Sequence, residues 1–326
     1  MRAAFSVRTL TWLALAAACL FPGGAPAAEY PDRPVRWIVP YAAGGTTDVI
    51  ARYVAQTMSQ ISGHAIVIDN RAGAGGRTGM ALVAKADPDG YTLLVSDASI
   101  ATAPSLYAEL PFDPVKDLTP IGMFATVPHI VVVSPEVGVA TLGELIALAK
   151  KDPGKLNFGS GGIGSPLHLA GEVLRLETGM AWTHIPYKGA APAILASITN
   201  EVQVATPSLP AALPQVQAGK LRALAVMSPK RLATLPDVPT TAELGFPKAT
   251  VQGWVGLHAP AGTPTAILNA IEAELAKALE NPELRAHLAV QGADVSPEIG
   301  AAYGQFVADE SARWKQVVKA AGIPPQ

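Results

Sequence analysis

Short apolar runs recur along this chain, several followed by a glycine and then a helical pattern, and that alternation most narrows what it can fold into. The runs are residues 35–39, 65–68, 92–96, 130–133, 156–158, 183–185, 202–206, 221–226 and 251–258. Strands alternating with helices imply parallel sheets covered on both faces, an α/β architecture. Some 300 residues exceed what one core usually holds, so two domains are expected. Thr263 and Pro264 read as a helix cap and first turn, with Ile267, Leu268, Ile271, Leu275 and Leu279 on one face. Tyr303, Phe306, Val307, Trp314, Val317 and Val318 have similar spacing and suit a closing C-terminal helix.

The N-terminus carries a secretion pattern. Arg2 and Arg8 precede an apolar stretch from Leu10 to Phe21, and Ala25-Pro26-Ala27 fits the small-x-small cleavage rule, so residues 1–27 read as a signal peptide. The stretch is too short to span a bilayer comfortably. Cys19, the single cysteine, lies inside it after Ala16-Ala17-Ala18, without the large aliphatic residue a lipidation site has three positions before its cysteine. The mature chain would then have no thiol chemistry and, with 22 basic against 26 acidic residues, a net charge of −4, unlike a nucleic-acid binder.

Four glycine-bearing turns stand out. Tyr41-Ala42-Ala43-Gly44-Gly45-Thr46-Thr47-Asp48 follows the first apolar run and opens a helix. Such a turn lets backbone approach a ligand, and the helix start offers N–H groups to an anion. Asn70-Arg71-Ala72-Gly73-Ala74-Gly75-Gly76-Arg77 follows the second run. Gly159-Ser160-Gly161-Gly162-Ile163-Gly164-Ser165-Pro166-Leu167-His168 follows the fifth, with Ser165 as an N-cap and Pro166 as the first helical residue. Pro186-Tyr187-Lys188-Gly189 is the fourth, and it echoes Pro40-Tyr41 with Gly44, which two related halves or a shared turn solution explain equally well. Ligands of open α/β sheets sit beyond the carboxyl ends of strands, where these turns lie. Asp48 either caps its helix or accepts a hydrogen bond from a ligand; His168 suits a buried core histidine; Arg71, Arg77 and Lys188 each either neutralise a carboxylate or solvate a loop.

Catalytic patterns are missing. There is no Gly-x-Ser-x-Gly elbow, and no Gly-Lys-Ser/Thr follows Gly159–Gly164. The six histidines are dispersed, without a His-x-x-x-His pair. Binding without chemistry, and without a cofactor or metal, is the expectation; a secreted enzyme would have to use Asp48 with His168.

The ordered motifs resemble one family. They comprise Tyr30-Pro31 with Arg33-Pro34, Pro40-Tyr41 with Gly44-Gly45 and Asp48, and Asn70-Arg71 with Gly73-Ala74-Gly75-Gly76. Then come Pro88 with Gly90-Tyr91-Thr92-Leu93-Leu94, Gly159-Ser160 with Gly162, Gly164-Ser165 and His168-Leu169, and Pro186-Tyr187-Lys188-Gly189. Gly219-Lys220-Leu221-Arg222, Pro236 with Val238-Pro239-Thr240, and Gly253-Trp254 leading to Ala259-Pro260 with Gly262-Thr263-Pro264 complete the set. In this the chain is similar to the periplasmic solute-binding proteins of tripartite tricarboxylate transporters, the Bug family.

That resemblance implies a type II periplasmic-binding-protein fold. Residues 28–128 with 253–326 would form one α/β domain and 129–252 the other, hinged around a ligand cleft. It implies capture of a small carboxylate, delivery to the membrane permease subunits of such a transporter, and a monomer. The alternative is presentation of the solute to a membrane receptor. Contacts are expected from Tyr41, Ala42, Gly44, Gly45, Thr46 and Asp48, where the family grips a carboxylate largely through backbone N–H groups and waters. Gly75 and Ser96 would join them from the same domain, and Ser160, Gly161, Gly164, Ser165, His168, Tyr187 and Thr206 from the other. Asp48 is associated with selectivity. Thr206 and Ser208 stand where relatives often carry an acid or amide, which suggests a ligand larger or less amino-like than aspartate or glutamate.

Overall fold

The structure, a computed structural model, describes residues 30–325; the expected signal peptide with Cys19 lies outside the described residues. Of the N-terminal unit ending at Arg33, only residues 30–33 are described. All elements fall in the second unit, Pro34–Gln326.

Apolar, β-branched sequence drives the first strand, β1 (Val35–Val39), in which Trp37, Ile38 and Val39 are buried. It is the pivot of a six-stranded sheet, with β2 (Ile66–Asn70) on one side and β3 (Thr92–Asp97) on the other, both parallel to it. Beyond β3 lie β10 (Gln252–Pro260), β4 (Leu118–Pro128) and β11 (Asp294–Val295), antiparallel in turn. The second sheet repeats the central arrangement. Here β6 (Asn157–Ser160) sits between β7 (Thr183–Pro186) and β8 (Val204–Ala205), parallel to both, and β5 (Ile130–Val133) and β9 (Arg222–Val226) complete it. In each sheet the order reverses around one strand, so a crevice opens beyond the carboxyl ends of β1 and β6.

The halves are therefore related by topology, but not as the sequence echo pairs them. The turn after β1 corresponds to the one after β6, while Pro186–Gly189 follows β7 and corresponds to the turn after β2.

Ten α-helices cover the sheets among the described residues: α1 (Thr46–Ser62), α2 (Arg77–Ala84), α3 (Ser99–Leu106), α4 (Leu142–Lys151), α5 (Pro166–Thr178), α6 (Ala190–Ile198), α7 (Leu209–Gln217), α8 (Thr265–Leu279), α9 (Pro282–Val290) and α10 (Ala301–Ala321). α8 begins two residues after Thr263, whose hydroxyl instead donates to the Pro260 carbonyl at 2.8 Å. The closing helix is present as expected: α10 buries Tyr303, Trp314 and Val318, and its Ser311 donates to the Ala101 carbonyl of α3.

The chain passes from the first sheet to the second at residues 128–130 and returns at residues 250–252. The two passes run side by side: His129 N–H donates to the Val251 carbonyl, and Gln252 pairs with Pro128. Arg313 of α10 clamps the returning pass through the Thr250 carbonyl. β4 escapes a sequence reading because Pro120, Gly122 and Pro128 interrupt it, and proline is confined to edges or irregular pairing. Its ladder with β10 shifts register twice, between Val255 and Gly256 and between Leu257 and His258.

Candidate ligand-binding site

The turn after β1 is an open backbone cradle. Gly44 has φ +84°, a conformation glycine adopts freely. Ala42, Gly44 and Gly45 are exposed, and Tyr41 and Thr46 half-buried. No side chain caps α1 at Gly45, and the first bond into the helix is Val49 N–H to the Gly45 carbonyl. The preceding helical amides are thus left for water or an anion.

Asp48 builds this cradle. It is buried, at 2% exposure. One oxygen accepts from Gly44 N–H at 2.8 Å and Arg52 Nε at 3.0 Å; the other accepts from Asn70 Nδ2 at 2.9 Å and pairs with Arg52. Asn70 also donates to the Tyr41 carbonyl. Burial raises the Asp48 carboxyl, but the bonds from Arg52, Gly44 and Asn70 outweigh it and hold the group below its ordinary value. Its acceptors are occupied within the protein, so it shapes the turn.

Beneath Tyr41 is a carboxylate that sequence reasoning missed. Asp97, at the end of β3, accepts from the Tyr41 hydroxyl at 2.9 Å and from Ser99 N–H at 2.9 Å and Oγ at 2.5 Å. Its other oxygen lies 3.5 Å from Thr47 Oγ1. Burial raises its pKa, and the hydrogen bonds from Ser99, Tyr41 and Thr47 do not fully offset that. The only sequence signal was Asp97 two residues before Ser99 at a helix start. A carboxyl whose folded pKa lies above its unfolded value destabilises the fold once ionised, so that penalty grows as pH rises above about 4. Asp97→Asn is therefore expected to raise Tm at neutral pH and leave it unchanged near pH 3.5; thermal melts at both pH values would show it, and a fall at neutral pH would refute it.

The turn after β2 closes against the first. A methyl group on Gly76 would lie 3.1 Å from the Tyr41 hydroxyl, and one on Gly75 the same distance from that of Tyr107. Gly75 is exposed and stands beside Tyr107. Ser96 is fully buried, with its hydroxyl 2.8 Å from His258 Nδ1 and 3.1 Å from the Tyr303 hydroxyl.

In the second sheet the turn after β6 is equally glycine-built. Gly161 packs on Gly189, where a methyl group would approach its carbonyl carbon to 3.2 Å, so the turns after β6 and β7 touch. Ser160 is buried; its hydroxyl accepts from Gly162 N–H and lies 2.6 Å from His184 Nε2. Ser165 caps α5 as expected, accepting from His168 N–H. His168 is buried, its Nδ1 accepts from Gly164 N–H at 2.9 Å, and its ring stacks on His184 at 4.0 Å. Burial, with Arg175 nearby, brings His168 down to about 4, so it stays neutral with its proton on Nε2. Thr206 is spent inside, donating to the Leu167 carbonyl at 2.7 Å, and Tyr187 donates to Glu201. Leu106, the last residue of α3, packs beneath Gly164 of the turn after β6: a methyl group there would lie 2.6 Å from Leu106 Cδ1.

A cavity of about 380 Å³ opens beside α5, lined by His168, Glu172, Arg175, Trp182, His184 and residues 321–324. Its lining includes no residue of the turns after β1 and β2. Among the described residues no group of three or more His, Cys, Asp or Glu side chains is placed to hold a metal ion, and no helix is long and apolar enough to cross a membrane.

The turn after β1 leaves helix-start amides open at a topological switch point, a place where a ligand can bind, and sequence comparison shows what kind of protein carries it. Residues 50–323 match the family described as the tripartite tricarboxylate transporter family receptor. The chain belongs to that family. Protein BugT of Bordetella pertussis is 39% identical over 295 residues, covering 90% of each chain. A structure of an R. palustris protein with adipate is 35% identical, with a TM-score of 0.85, covering 91% of this chain and all of that one. MatC of Rhodopseudomonas palustris, with bound malate, is 32% identical with a TM-score of 0.78 over 89% of this chain and all of that one. The family is one of periplasmic solute-binding receptors rather than enzymes.

Proposed function

We propose that this chain captures a small carboxylate between the turns after β1 and β6 and hands it, chemically unchanged, to the permease subunits of a tripartite tricarboxylate-type transporter. The uncapped start of α1 beside Gly44 and Gly45 carries the reading: it offers an anion several backbone donors without a buried cation. Adipate and malate in the two R. palustris relatives support a carboxylate as the ligand class. Tyr41, Ala42, Gly44, Gly45 and Thr46 line the first wall, with Asp48 holding its shape; Gly75 adjoins it. Gly161, Gly164 and Ser165 form the opposite wall, backed by Ser160 and His168, while Thr206 anchors the start of α5 and Tyr187 and Ser96 stand behind. Residues 28–128 with 253–326 and residues 129–252 act as two domains, and the paired passes at His129 and Val251 are their hinge. Ligand shifts the population towards closure by adding contacts from the second wall. The working form is a secreted monomer freed of residues 1–27.

Calorimetric titration of protein stripped by unfolding and refolding, against mono-, di- and tricarboxylates, tests this. One-to-one binding with the acid recovered intact is expected. Silence across the panel, or a product, would contradict it.

A further inference from the structure

The two nitrogens of the His168 ring have different surroundings. Nδ1 accepts from Gly164 N–H at 2.9 Å, which puts the ring proton on Nε2. Nε2 has no hydrogen-bond partner among the described residues, although His168 is only 4% exposed. It lies 4.0 Å from Glu172 Oε1, beyond hydrogen-bond reach. The buried Glu172 carboxylate is divided in the same way. Its Oε2 accepts from Arg175 Nε at 2.8 Å and pairs with Nη2 at 2.7 Å, which offsets the charge, while Oε1 accepts from no group among the described residues. A buried donor and a buried acceptor thus stand side by side without bonding each other, and such groups call for a partner.

Both residues line the cavity of about 380 Å³ beside α5. Ile163, Met180, Trp182 and Ile323 supply apolar wall, and Trp182 is braced from behind by Phe158, with ring centroids 4.8 Å apart. An apolar cavity of about 150 Å³ already holds benzene, so a substituted ring fits here. The polar pair then selects the substituent. A carboxylate brings no proton to Glu172 Oε1 and is repelled by it; an ammonium brings no acceptor to His168 Nε2–H. A hydroxyl donates to the one and accepts from the other, and at about 2.8 Å from each a single oxygen spans the gap.

We propose that this cavity is a second binding site, for a small neutral ring compound whose hydroxyl oxygen bridges His168 Nε2 and Glu172 Oε1 while the ring lies against the apolar wall. It is separate from the carboxylate position at the start of α1, since no residue of the turns after β1 and β2 lines it. A hydrogen bond to a charged group contributes about 10- to 100-fold in affinity.

The test is a nuclear magnetic resonance titration of the intact protein, methyl-labelled at isoleucine and methionine, with phenol, anisole and benzoate at neutral pH. Phenol is uncharged there, its hydroxyl titrating near 10 as that of tyrosine does. It should shift the methyl signals of Ile163, Met180 and Ile323 saturably and bind at least about 10-fold more tightly than anisole, which keeps the ring and loses the donor. Benzoate should not compete with it. Glu172→Met should bring phenol down to the affinity of anisole and leave anisole unchanged. Ala181→Phe, which fills the cavity without touching its polar pair, should abolish binding of both with an unaltered Tm. No saturable shift of those methyls, equal affinities for phenol and anisole, or competition by benzoate would each overturn the proposal, as would phenol binding that survives either substitution. Should Glu172→Met fail to fold, the ratio of phenol to anisole and the Ala181→Phe variant still decide.

Discussion

Gly164→Ala is expected to abolish most ligand binding while leaving the protein folded. Two costs add at this position. The backbone has φ +74°, where a side chain costs about 1–2 kcal/mol. The new methyl group would also sit 2.6 Å from Cδ1 and 3.0 Å from Cδ2 of Leu106. Leu106 is buried at the end of α3 and has little room to give; overpacking of this kind costs about 1–3 kcal/mol. Relief would come from moving the turn, and Gly164 N–H, which holds His168 Nδ1, moves with it. We expect a loss of at least about 10-fold in affinity and about 2–5 kcal/mol in stability. Leu106→Ala in the same chain should restore part of the affinity by removing the clash but not the backbone strain. Titration and chemical denaturation of the single and double variants would check both; an unaffected single variant would mean that Leu106 does not hold the turn at Gly164.

Asp48→Ala should have the largest effect on the first wall. It removes the acceptor of Gly44 N–H, one of the two acceptors of the Asn70 amide and the partner of Arg52, each lost hydrogen bond contributing about 0.5–1.5 kcal/mol. Arg52 is half exposed, so the lost ion pair itself adds little. A destabilisation of about 2–4 kcal/mol is expected, together with loss of binding as Gly44 leaves its geometry. The pH dependence follows from the depressed carboxyl. Stability from Asp48 is fully present above its unfolded value, near 4, and disappears as pH falls through its lower folded value. Denaturation between about pH 7 and 2 should show the gap between intact protein and variant closing only at the acid end. A gap that instead persists to the lowest pH would contradict the assignment.

Much of this architecture was legible because its local signals agree. Val35–Val39 is a buried strand by composition, Gly44 and Gly45 mark the turn, and Ser165-Pro166 announces α5 in cap and first turn. β4 was not legible, since Pro120, Gly122 and Pro128 argue against a strand until the irregular ladder with β10 is known. At the site, sequence located the turns but not the division of labour. Asp48 read equally as helix cap or ligand acceptor, and only the positions of Asn70, 22 residues away, and Gly44 show its oxygens occupied. Asp97 and Tyr107 carry no local pattern at all; they matter through Tyr41 and Arg77, contacts that exist only once β3 and α3 lie beside the turns. Arg71 and Arg77 were equivalent in sequence, and the neighbour each meets separates them.

A crystal structure of the protein with the tightest-binding acid of the panel tests the central claim most directly. One carboxylate is expected within hydrogen-bond distance of backbone N–H groups between Gly44 and Thr47, with the turn of Gly161–Ser165 closed over the ligand. Ligand in the cavity beside Trp182 and His184 instead, with the Gly44 cradle empty, would contradict it.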